Sequence, residues 1–328
     1  MSTTRRSQAA VCAAAVSIGL LVLGCSRKEK LAETPTVDPS SNQKDSPVEN
    51  VQTECPAALV AARRGGSDSD RYVPPNDDDR TAMRDAAALL LSGGAKARAE
   101  AAAKAGAAGF EIMDVPEIPG AVLVREKEDH RQGGGAYLLR LDSHSEVVVQ
   151  APHTFFDEGT LPLGCELFYR AKARAFFIDT AHRYKAAAQT EEGDHPADVA
   201  HSTTSTFQAM TEGVLRTIPH ATLVQPHGFS KRDAITVVLS NGEGRAGDPL
   251  VGRAAGRLAK IAGPGVKRFP EDTGELGATK NVQGAAVRAA GGRFLHVEIS
   301  AQLRHELLRD AALRARFFDA LSSSVNEK

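Results

Sequence analysis

The chain has 328 residues, and its charge is nearly balanced, with 40 Lys and Arg against 41 Asp and Glu. It contains no Trp, and aromatic residues make up 5% of it. A nucleic-acid-binding surface needs a basic patch and often exposed aromatic rings, so this composition argues against a nucleic-acid partner.

The N-terminal segment has the layout of an export signal. Two arginines precede a small and apolar run over residues 9–23, which is too short to span a bilayer comfortably. The ending Leu21–Cys25 resembles a bacterial lipoprotein lipobox, which implies cleavage before Cys25 and a lipid on its thiol. We therefore predict a lipoprotein signal peptide over residues 1–24, with an ordinary signal peptide or an uncleaved anchor as alternatives. The protein would be exported and lipid-anchored to a bacterial membrane, on the periplasmic side or at the cell surface.

The remaining chain divides into a tether and one domain. Residues 25–54 are polar and lack an apolar period, so they cannot bury enough surface to offset their ordering entropy and are predicted to be disordered. Residues 55–328 are long enough for a single α/β domain. Cys55 and Cys165 could form a disulfide in an exported protein or remain two buried thiols, and the sequence leaves both open.

The apolar patterns of this domain predict a mixed β-sheet flanked by helices. An Ala-rich stretch over residues 79–107 predicts a helix broken at Gly93–Gly94. The first three strands are expected to form an antiparallel margin that continues into the strand at Val147. Further helices are predicted over residues 163–172, 207–216 and, as one closing helix, from 301 to beyond 318. Strands are predicted over residues 110–112, 121–124, 136–140, 147–151, 175–180, 222–225, 234–239 and 293–300.

The strand that begins at Val147 delivers an imidazole and two carboxylates to one place. Pro152 ends this strand, His153 follows it, and Asp157 and Glu158 come four and five residues later. Ligands in open α/β sheets gather at the carboxyl ends of strands. An imidazole and a carboxylate held there could bind zinc with one more histidine. For this segment alone, a surface histidine beside an acidic turn is the alternative.

Other polar side chains follow later strands. Arg183 comes just after a predicted strand and could hold a substrate carboxylate through a bidentate pair, or could simply be solvated. His201 opens a hydroxyl-rich segment over residues 201–207, whose hydroxyls could serve only to cap the next helix. His227 follows the strand over residues 222–225. It brings a second imidazole to the same sheet edge if the strands are parallel.

A Gly-x-Gly-x-x-Gly pattern occurs over residues 242–247, ahead of a predicted helix with Asp248 as its cap and Pro249 in its first turn. A dinucleotide site would also need a strand ending in an acidic residue at the right distance, and no clear one is found. The pattern is therefore better explained as a glycine-rich loop between a strand and a helix.

The last predicted strand, over residues 293–300, has the apolar pattern of a buried strand but includes the carboxylate of Glu298. Alternation puts Phe294, His296 and Glu298 on one face, and Ser300 can cap the closing helix. Because Glu is rarely fully buried unless it is paired, Glu298 is a candidate functional residue. The alternative is an exposed edge strand.

Taken in order, four segments resemble the phage poly-γ-glutamate hydrolases, relatives of zinc carboxypeptidases and N-formylglutamate amidohydrolases. In that family a Pro-His pair is followed by a Glu five residues after the His and then by Gly-Thr, as in Pro152–Thr160. A His-x-Thr-Ser-Thr-x-Phe segment is similar to His201–Phe207, and a strand-end His-Gly is matched by His227–Gly228. A closing Glu-(Leu/Ile)-Ser followed by Leu-Arg is matched within Glu298–Arg304. The resemblance covers about half of the chain.

The resemblance implies a zinc carboxypeptidase-like (phosphorylase/hydrolase-like) architecture and a catalytic zinc site. His153, Glu158 and His227 would be the ligands, with Glu158 preferred to Asp157 because of its spacing from the histidine. Glu298 would be the base that takes the proton of a water molecule. The family's Gly-rich residues after the first histidine are replaced here by Thr-Phe-Phe, which narrows the pocket. The candidates for binding the substrate are Arg183, Arg304 and His201.

The function expected from these features is that of an exported, lipid-anchored zinc hydrolase. It would cleave an amide bond, γ-glutamyl or peptide-like, near a carboxylate. The alternative is a non-catalytic lipoprotein of the same fold that binds a substrate or the cell wall. A serine hydrolase is disfavoured because the chain has no Gly-x-Ser-x-Gly elbow.

Overall fold

The computed structural model of the chain describes residues 55–64, 70–190 and 193–327. The predicted signal peptide, the tether and Cys25 lie outside these residues. None of the helices found within them has the length and apolar character that crossing a membrane requires.

A mixed β-sheet forms the centre of the described part of the chain. It has nine strands: β1 (Phe110–Asp114), β2 (Ala121–Glu126), β3 (Ala136–Arg140), β4 (Val147–Ala151), β5 (Ala175–Ile178), β6 (Thr222–Phe229), β7 (Val237–Ser240), β8 (Val266–Arg268) and β9 (Arg293–Ser300). Their order in the sheet is β1-β2-β3-β5-β4-β6-β9-β7-β8. The central strands β5, β4, β6 and β9 are parallel neighbours, so their carboxyl ends meet at one edge.

The antiparallel margin expected from the sequence is confirmed, but its connection to the rest of the sheet is different. Strands β1, β2 and β3 pair antiparallel in chain order. However, β3 pairs with β5 and not with β4. Because β4, the helix after it and β5 form a parallel β-α-β unit, β5 takes the place beside β4 that chain order would give to β3.

Helices cover both faces of the sheet. They are α1 (Ala57–Arg63), α2 (Asp77–Ser92), α3 (Ala95–Ala107), α4 (Thr160–Arg170), α5 (Thr206–Thr217), α6 (Pro249–Ala262), α7 (Val282–Ala289), α8 (Ala301–Arg309) and α9 (Ala311–Asn326). Alternate strand residues enter two separate cores: Val147 and Val149 face α1, α4, α6, α8 and α9, whereas Val148 faces α2, α3, α5 and α7. The predicted α/β class, a mixed sheet flanked by helices, is therefore confirmed.

The predicted helix boundaries hold in most places. The break at Gly93–Gly94 separates α2 from α3, and Asp248 caps α6 after the glycine-rich loop. The single closing helix is wrong, because α8 and α9 are separate helices. The chain turns at Asp310, whose carboxylate accepts hydrogen bonds from the first turn of α9.

A disulfide joins Cys55 to Cys165, with 5.4 Å between their Cα atoms. It ties the segment before α1 to the middle of α4. Of the two states that the sequence left open, the cross-linked one is present, and such a bond is typical of an oxidising compartment.

Candidate metal centre

The first imidazole and a carboxylate are brought together by a tight turn after β4. The carbonyl oxygen of His153 accepts hydrogen bonds from the backbone N–H groups of Phe156, at 3.0 Å, and Asp157, at 2.7 Å. A bond between residues four apart closes one helix-like turn, and side chains four apart then lie on the same side. The turn therefore brings the carboxylate of Asp157 towards the imidazole of His153.

The second imidazole comes from the neighbouring parallel strand β6. The sequence predicts that this strand ends near Gln225, but it continues to Phe229 and includes Pro226 and His227. Its pairing with β4 ends at Val224, so on that side the proline removes no ladder hydrogen bond. His227 therefore lies in strand β6, near the carboxyl end of the strand, and not in a loop after it.

Three potential ligand atoms converge at this place. The Nδ1 atoms of His153 and His227 are 3.1 Å apart, and Oδ2 of Asp157 lies 3.5 Å and 3.3 Å from them respectively. Zinc binds nitrogen and oxygen at about 2.0–2.1 Å, which in a tetrahedron separates the ligand atoms by about 3.3–3.4 Å. The three side chains are all buried. Their spacing therefore fits three corners of a tetrahedral zinc site.

Both imidazole rings are oriented by a second hydrogen bond. Nε2 of His153 lies 2.9 Å from Oδ1 of Asp198, and Nε2 of His227 lies 3.2 Å from Oε1 of Gln225. That oxygen also accepts from Asn281, while the amide nitrogen of Gln225 donates to Gln150. Because both Nε2 atoms face acceptors, each carries a hydrogen, and the two Nδ1 atoms face each other and the carboxylate of Asp157. Such outer partners are the usual means of fixing metal-binding histidines.

The charges of these groups depend strongly on one another. Burial by itself raises the pKa of Asp157, but hydrogen bonds with His153 and His227 hold it far below its usual range. Burial lowers the pKa of His227 to about 4, so this ring is neutral. Burial also lowers the pKa of His153, but Asp157 and Asp198 outweigh it and raise the value to about 9. A proton and a metal ion would thus compete for Nδ1 of His153.

The choice between the two carboxylates is the reverse of the one made from the sequence. The side chain of Glu158 is 66% exposed, and its Oε2 lies 3.8 Å from Nε2 of His305. It follows Asp157 by one residue, which rotates it by about 100° around a helix-like turn and away from the imidazoles. Asp157, at 3% exposure, occupies the position that was assigned to Glu158.

The three residues expected to bind the substrate lie in different settings. Nη2 of Arg183 donates to Asp198, and Nη1 lies 3.1 Å from Nδ1 of His153. His201 is 45% exposed and lies 3.0 Å from Oδ2 of Asp198. Both therefore border the metal centre through one carboxylate.

Arg304 is the exception among these candidates. It is buried and donates to the backbone carbonyl groups of Glu158, Phe229 and Ile299. Gly228 makes room for it, because a Cβ atom there would lie 2.2 Å from the guanidinium. Nε and Nη1 of Arg304 are thus used to hold backbone segments of the fold together, and its contact with a substrate stays a prediction.

Glu298 reaches the same edge of the sheet. It lies opposite His227 in the parallel register, and its strand is flanked by β6 and β7, so the exposed edge-strand alternative is wrong. Its Oε1 is 3.6 Å from Nε2 of His296, and Oε2 has no hydrogen-bond partner within the described chain. Burial, followed by the charge of Asp157, raises the pKa of Glu298 to about 8.

Two residues of the centre were not singled out from the sequence. Asp198 stands three residues before His201, and its only signal was a carboxylate at the start of the hydroxyl-rich segment. Gln225 stands two residues before His227, where alternation places both side chains on one face of β6. Neither residue type is diagnostic by itself, which is why a single sequence did not reveal them.

Solved structures similar to the chain include the enzyme classes that its motifs resemble. N-formylglutamate amidohydrolase from Ralstonia eutropha is 13% identical, covering 56% of this chain and 96% of that one, with a TM-score of 0.35. A metallo-carboxypeptidase from Burkholderia cenocepacia is 16% identical, covering 72% and 70%, with a TM-score of 0.39. A bacteriophage poly-gamma-glutamate hydrolase is 14% identical, covering 56% and 83%, with a TM-score of 0.34.

No protein-family model and no curated protein sequence matches the chain. Identities below 25% with TM-scores below 0.5 describe a distant likeness. The functional assignment therefore depends on the geometry of the metal centre.

Proposed function

We propose that the chain is a zinc-dependent hydrolase that cleaves an amide bond, γ-glutamyl or peptide-like, next to a carboxylate. The observation that carries this proposal is the convergence of three acceptor atoms, Nδ1 of His153, Oδ2 of Asp157 and Nδ1 of His227, within 3.5 Å of one another. Three buried atoms with lone pairs repel each other at this distance unless a cation or a proton lies among them. Without a metal ion, the proton that His153 holds with a pKa of about 9 has this role. Three protein ligands, rather than four, are typical of a catalytic zinc site.

The residues of the candidate metal centre would have different roles in such a reaction. His153, Asp157 and His227 would hold the ion, while Asp198 and Gln225 keep both rings in the binding orientation. When bound, zinc lowers the pKa of water and polarises a carbonyl group. Glu298 accepts the proton of the attacking water at its carboxylate and returns it to the leaving amine. Its pKa of about 8 suits transfer in both directions.

Recognition of the substrate's carboxylate is assigned to Arg183 and His201. Nη2 of Arg183 is fixed by Asp198, whereas Nη1 lies 3.1 Å from Nδ1 of His153. If Nδ1 held a metal ion, Nη1 would be the donor of Arg183 left for an anion. His201 adds a partly exposed imidazole on the other side of Asp198.

The proposal is tested by metal content and turnover of the purified chain. After dialysis against zinc and removal of the excess, we expect about one bound zinc per chain by elemental analysis. His153→Ala and His227→Ala should lose it. Release of glutamate is then measured on N-formylglutamate and poly-γ-glutamate, and release of amino acids on peptides with a free carboxylate. A parent chain that binds no zinc would contradict the proposal.

A non-catalytic binding lipoprotein of the same fold is the second candidate. It is favoured if the chain binds zinc and carboxylate-bearing amides but turns none of them over, and if Glu298→Gln does not change the affinity for the substrate. The Cys55–Cys165 disulfide supports an exported location for either function. We also propose anchoring of the protein through Cys25, which Cys25→Ser should abolish.

A further inference from the structure

The residue that follows His153 has every polar group engaged. The backbone N–H of Thr154 donates to Oδ1 of Asp179 at 2.7 Å. Its carbonyl oxygen accepts from Nη2 of Arg63 at 2.8 Å, and its hydroxyl oxygen accepts from Nε of the same guanidinium at 3.0 Å. Thr154 and Asp179 are both buried. The start of the metal-binding turn is thus held from two sides, by a guanidinium and by a carboxyl group.

Arg63 contacts two consecutive residues of this turn. Besides its two hydrogen bonds to Thr154, its guanidinium carbon lies 4.1 Å from the ring centroid of Phe155. Thr154 and Phe155 lie between His153 and Asp157 in the sequence. Nδ1 of His153 and Oδ2 of Asp157 are 3.5 Å apart, and the candidate metal site depends on this distance. These contacts of Arg63 are with Thr154 and Phe155 and not with the candidate ligand atoms of His153, Asp157 and His227. Any effect that Arg63 has on the metal centre must therefore pass through the shape of the turn.

The helix that carries Arg63 is fixed next to the same turn. Leu59 and Ala62 of α1 are buried in the core below the sheet. Cys55, two residues before α1, is bonded to Cys165 of α4, and α4 begins at Thr160, directly after the turn. The disulfide thus joins the segment before α1, the helix that carries Arg63, to α4, the helix that follows the metal-binding turn.

We propose that Arg63 is a positioning residue that keeps the turn from His153 to Asp157 in its metal-binding shape. We further propose that the Cys55–Cys165 disulfide strengthens this hold by fixing α1. The inference rests on the proposed zinc site. Loss of Arg63 leaves a buried carbonyl and a hydroxyl without their donors and lets the turn move. Loss of a partner that hydrogen-bonds a metal ligand weakens metal binding about 10- to 100-fold. Because Arg63 acts through the residue after the ligand, we expect a loss near the lower end of that range.

An arginine is required because two acceptors must be met at once. Nε and Nη2 donate to two different oxygens of Thr154, and the planar guanidinium also covers the ring of Phe155. A lysine ammonium is a single point donor on a flexible stem and does not reproduce this geometry. Arg63→Lys should therefore keep the charge and the stem but restore little of the affinity.

The test compares Arg63→Ala with the adjacent control Arg64→Ala. Arg64 forms a salt bridge with the exposed Glu128, and such surface pairs contribute little. Zinc affinity is measured by competition with a chromophoric chelator, and the geometry of the site by the visible absorption of the cobalt-loaded protein. We expect Arg63→Ala to bind zinc about tenfold more weakly with an altered cobalt spectrum. Arg64→Ala should match the parent in both.

The role of the disulfide is read from a double-mutant cycle. Replacing Cys55 and Cys165 by Ala should weaken zinc binding in the parent but add no further loss in the Arg63→Ala chain, because both changes act on the same turn. Additive losses would overturn the link between the disulfide and Arg63. If Arg63→Ala does not fold, Arg63→Lys replaces it in the same comparison.

The outcomes separate this inference from the proposed function. A parent chain without zinc contradicts the function itself. A parent that binds zinc, with Arg63→Ala binding it equally well and showing the same cobalt spectrum, leaves the function in place and overturns the positioning role.

Discussion

The sharpest test of the metal centre is a comparison of two adjacent carboxylates. Asp157→Asn removes a charged ligand that lies 3.3 Å and 3.5 Å from the two imidazole nitrogens. Glu158→Gln changes the next side chain in the same way, but that side chain is 66% exposed. The two substitutions are chemically matched and differ only in which way the turn directs the carboxylate.

The expected loss of zinc affinity follows from the share of the binding free energy that one ligand contributes. Structural zinc binds with about 10–16 kcal/mol through four ligands, so one ligand accounts for about 2.5–4 kcal/mol. This corresponds to about 100- to 1,000-fold in affinity. Because Asn keeps a neutral oxygen in place, we expect Asp157→Asn to lie near the lower end. Glu158→Gln should stay within about twofold of the parent, since surface charges of this kind contribute little.

The measurement is zinc competition with a chromophoric chelator at a fixed neutral pH, with the thermal unfolding of each metal-free variant as a check on the fold. A larger loss for Glu158→Gln than for Asp157→Asn would restore the carboxylate chosen from the sequence and refute the geometric argument. Equal affinity of both variants and the parent would show that neither carboxylate binds the ion.

Four further outcomes are expected. Asp198→Asn should weaken zinc binding about 10- to 100-fold in the same competition assay, because it removes the partner that orients His153; an unchanged affinity would contradict that role. Since the pKa of His153 is raised to about 9, zinc must displace a proton from this ring at neutral pH. The apparent zinc affinity should therefore rise about tenfold per pH unit and level off above about pH 9. A zinc affinity that does not change with pH would argue against this competition. Glu298→Gln should keep bound zinc but lose about 100- to 10,000-fold in amide turnover, and full turnover would remove its role as the base. Cys25→Ser should move the protein from the membrane fraction to the soluble exported fraction, whereas unchanged partition would count against lipidation.

The sequence determined the class of the fold and most of the positions where the site is built. Runs of β-branched residues such as Val147–Val149 are local signals for buried strands. The rule that ligands gather at the carboxyl ends of parallel strands then predicts that His153, His227 and Glu298 meet at one edge of the sheet. These predictions succeed because burial and strand direction depend on short stretches of sequence.

The pairing of strands and the length of helices depended on the rest of the chain. β5 lies between β3 and β4, parallel to β4 and antiparallel to β3, and no local pattern encodes which strand β3 pairs with. Likewise, one apolar stripe runs through the residues of both α8 and α9. The turn at Asp310 that separates the two helices does not interrupt this stripe, so the stripe alone predicts one helix.

Only the tertiary structure decided which side chains meet at the candidate metal centre. Asp157 and Glu158 are equivalent as residue types, and the backbone hydrogen bond from Asp157 to His153 directs one inward and the other to solvent. Asp198 is brought to His153 from 45 residues away in the sequence. Arg304 matches a motif in sequence but is bound by backbone carbonyl groups. Short motifs specify residue types and spacing, whereas the direction of a side chain is set by hydrogen bonds to distant parts of the chain.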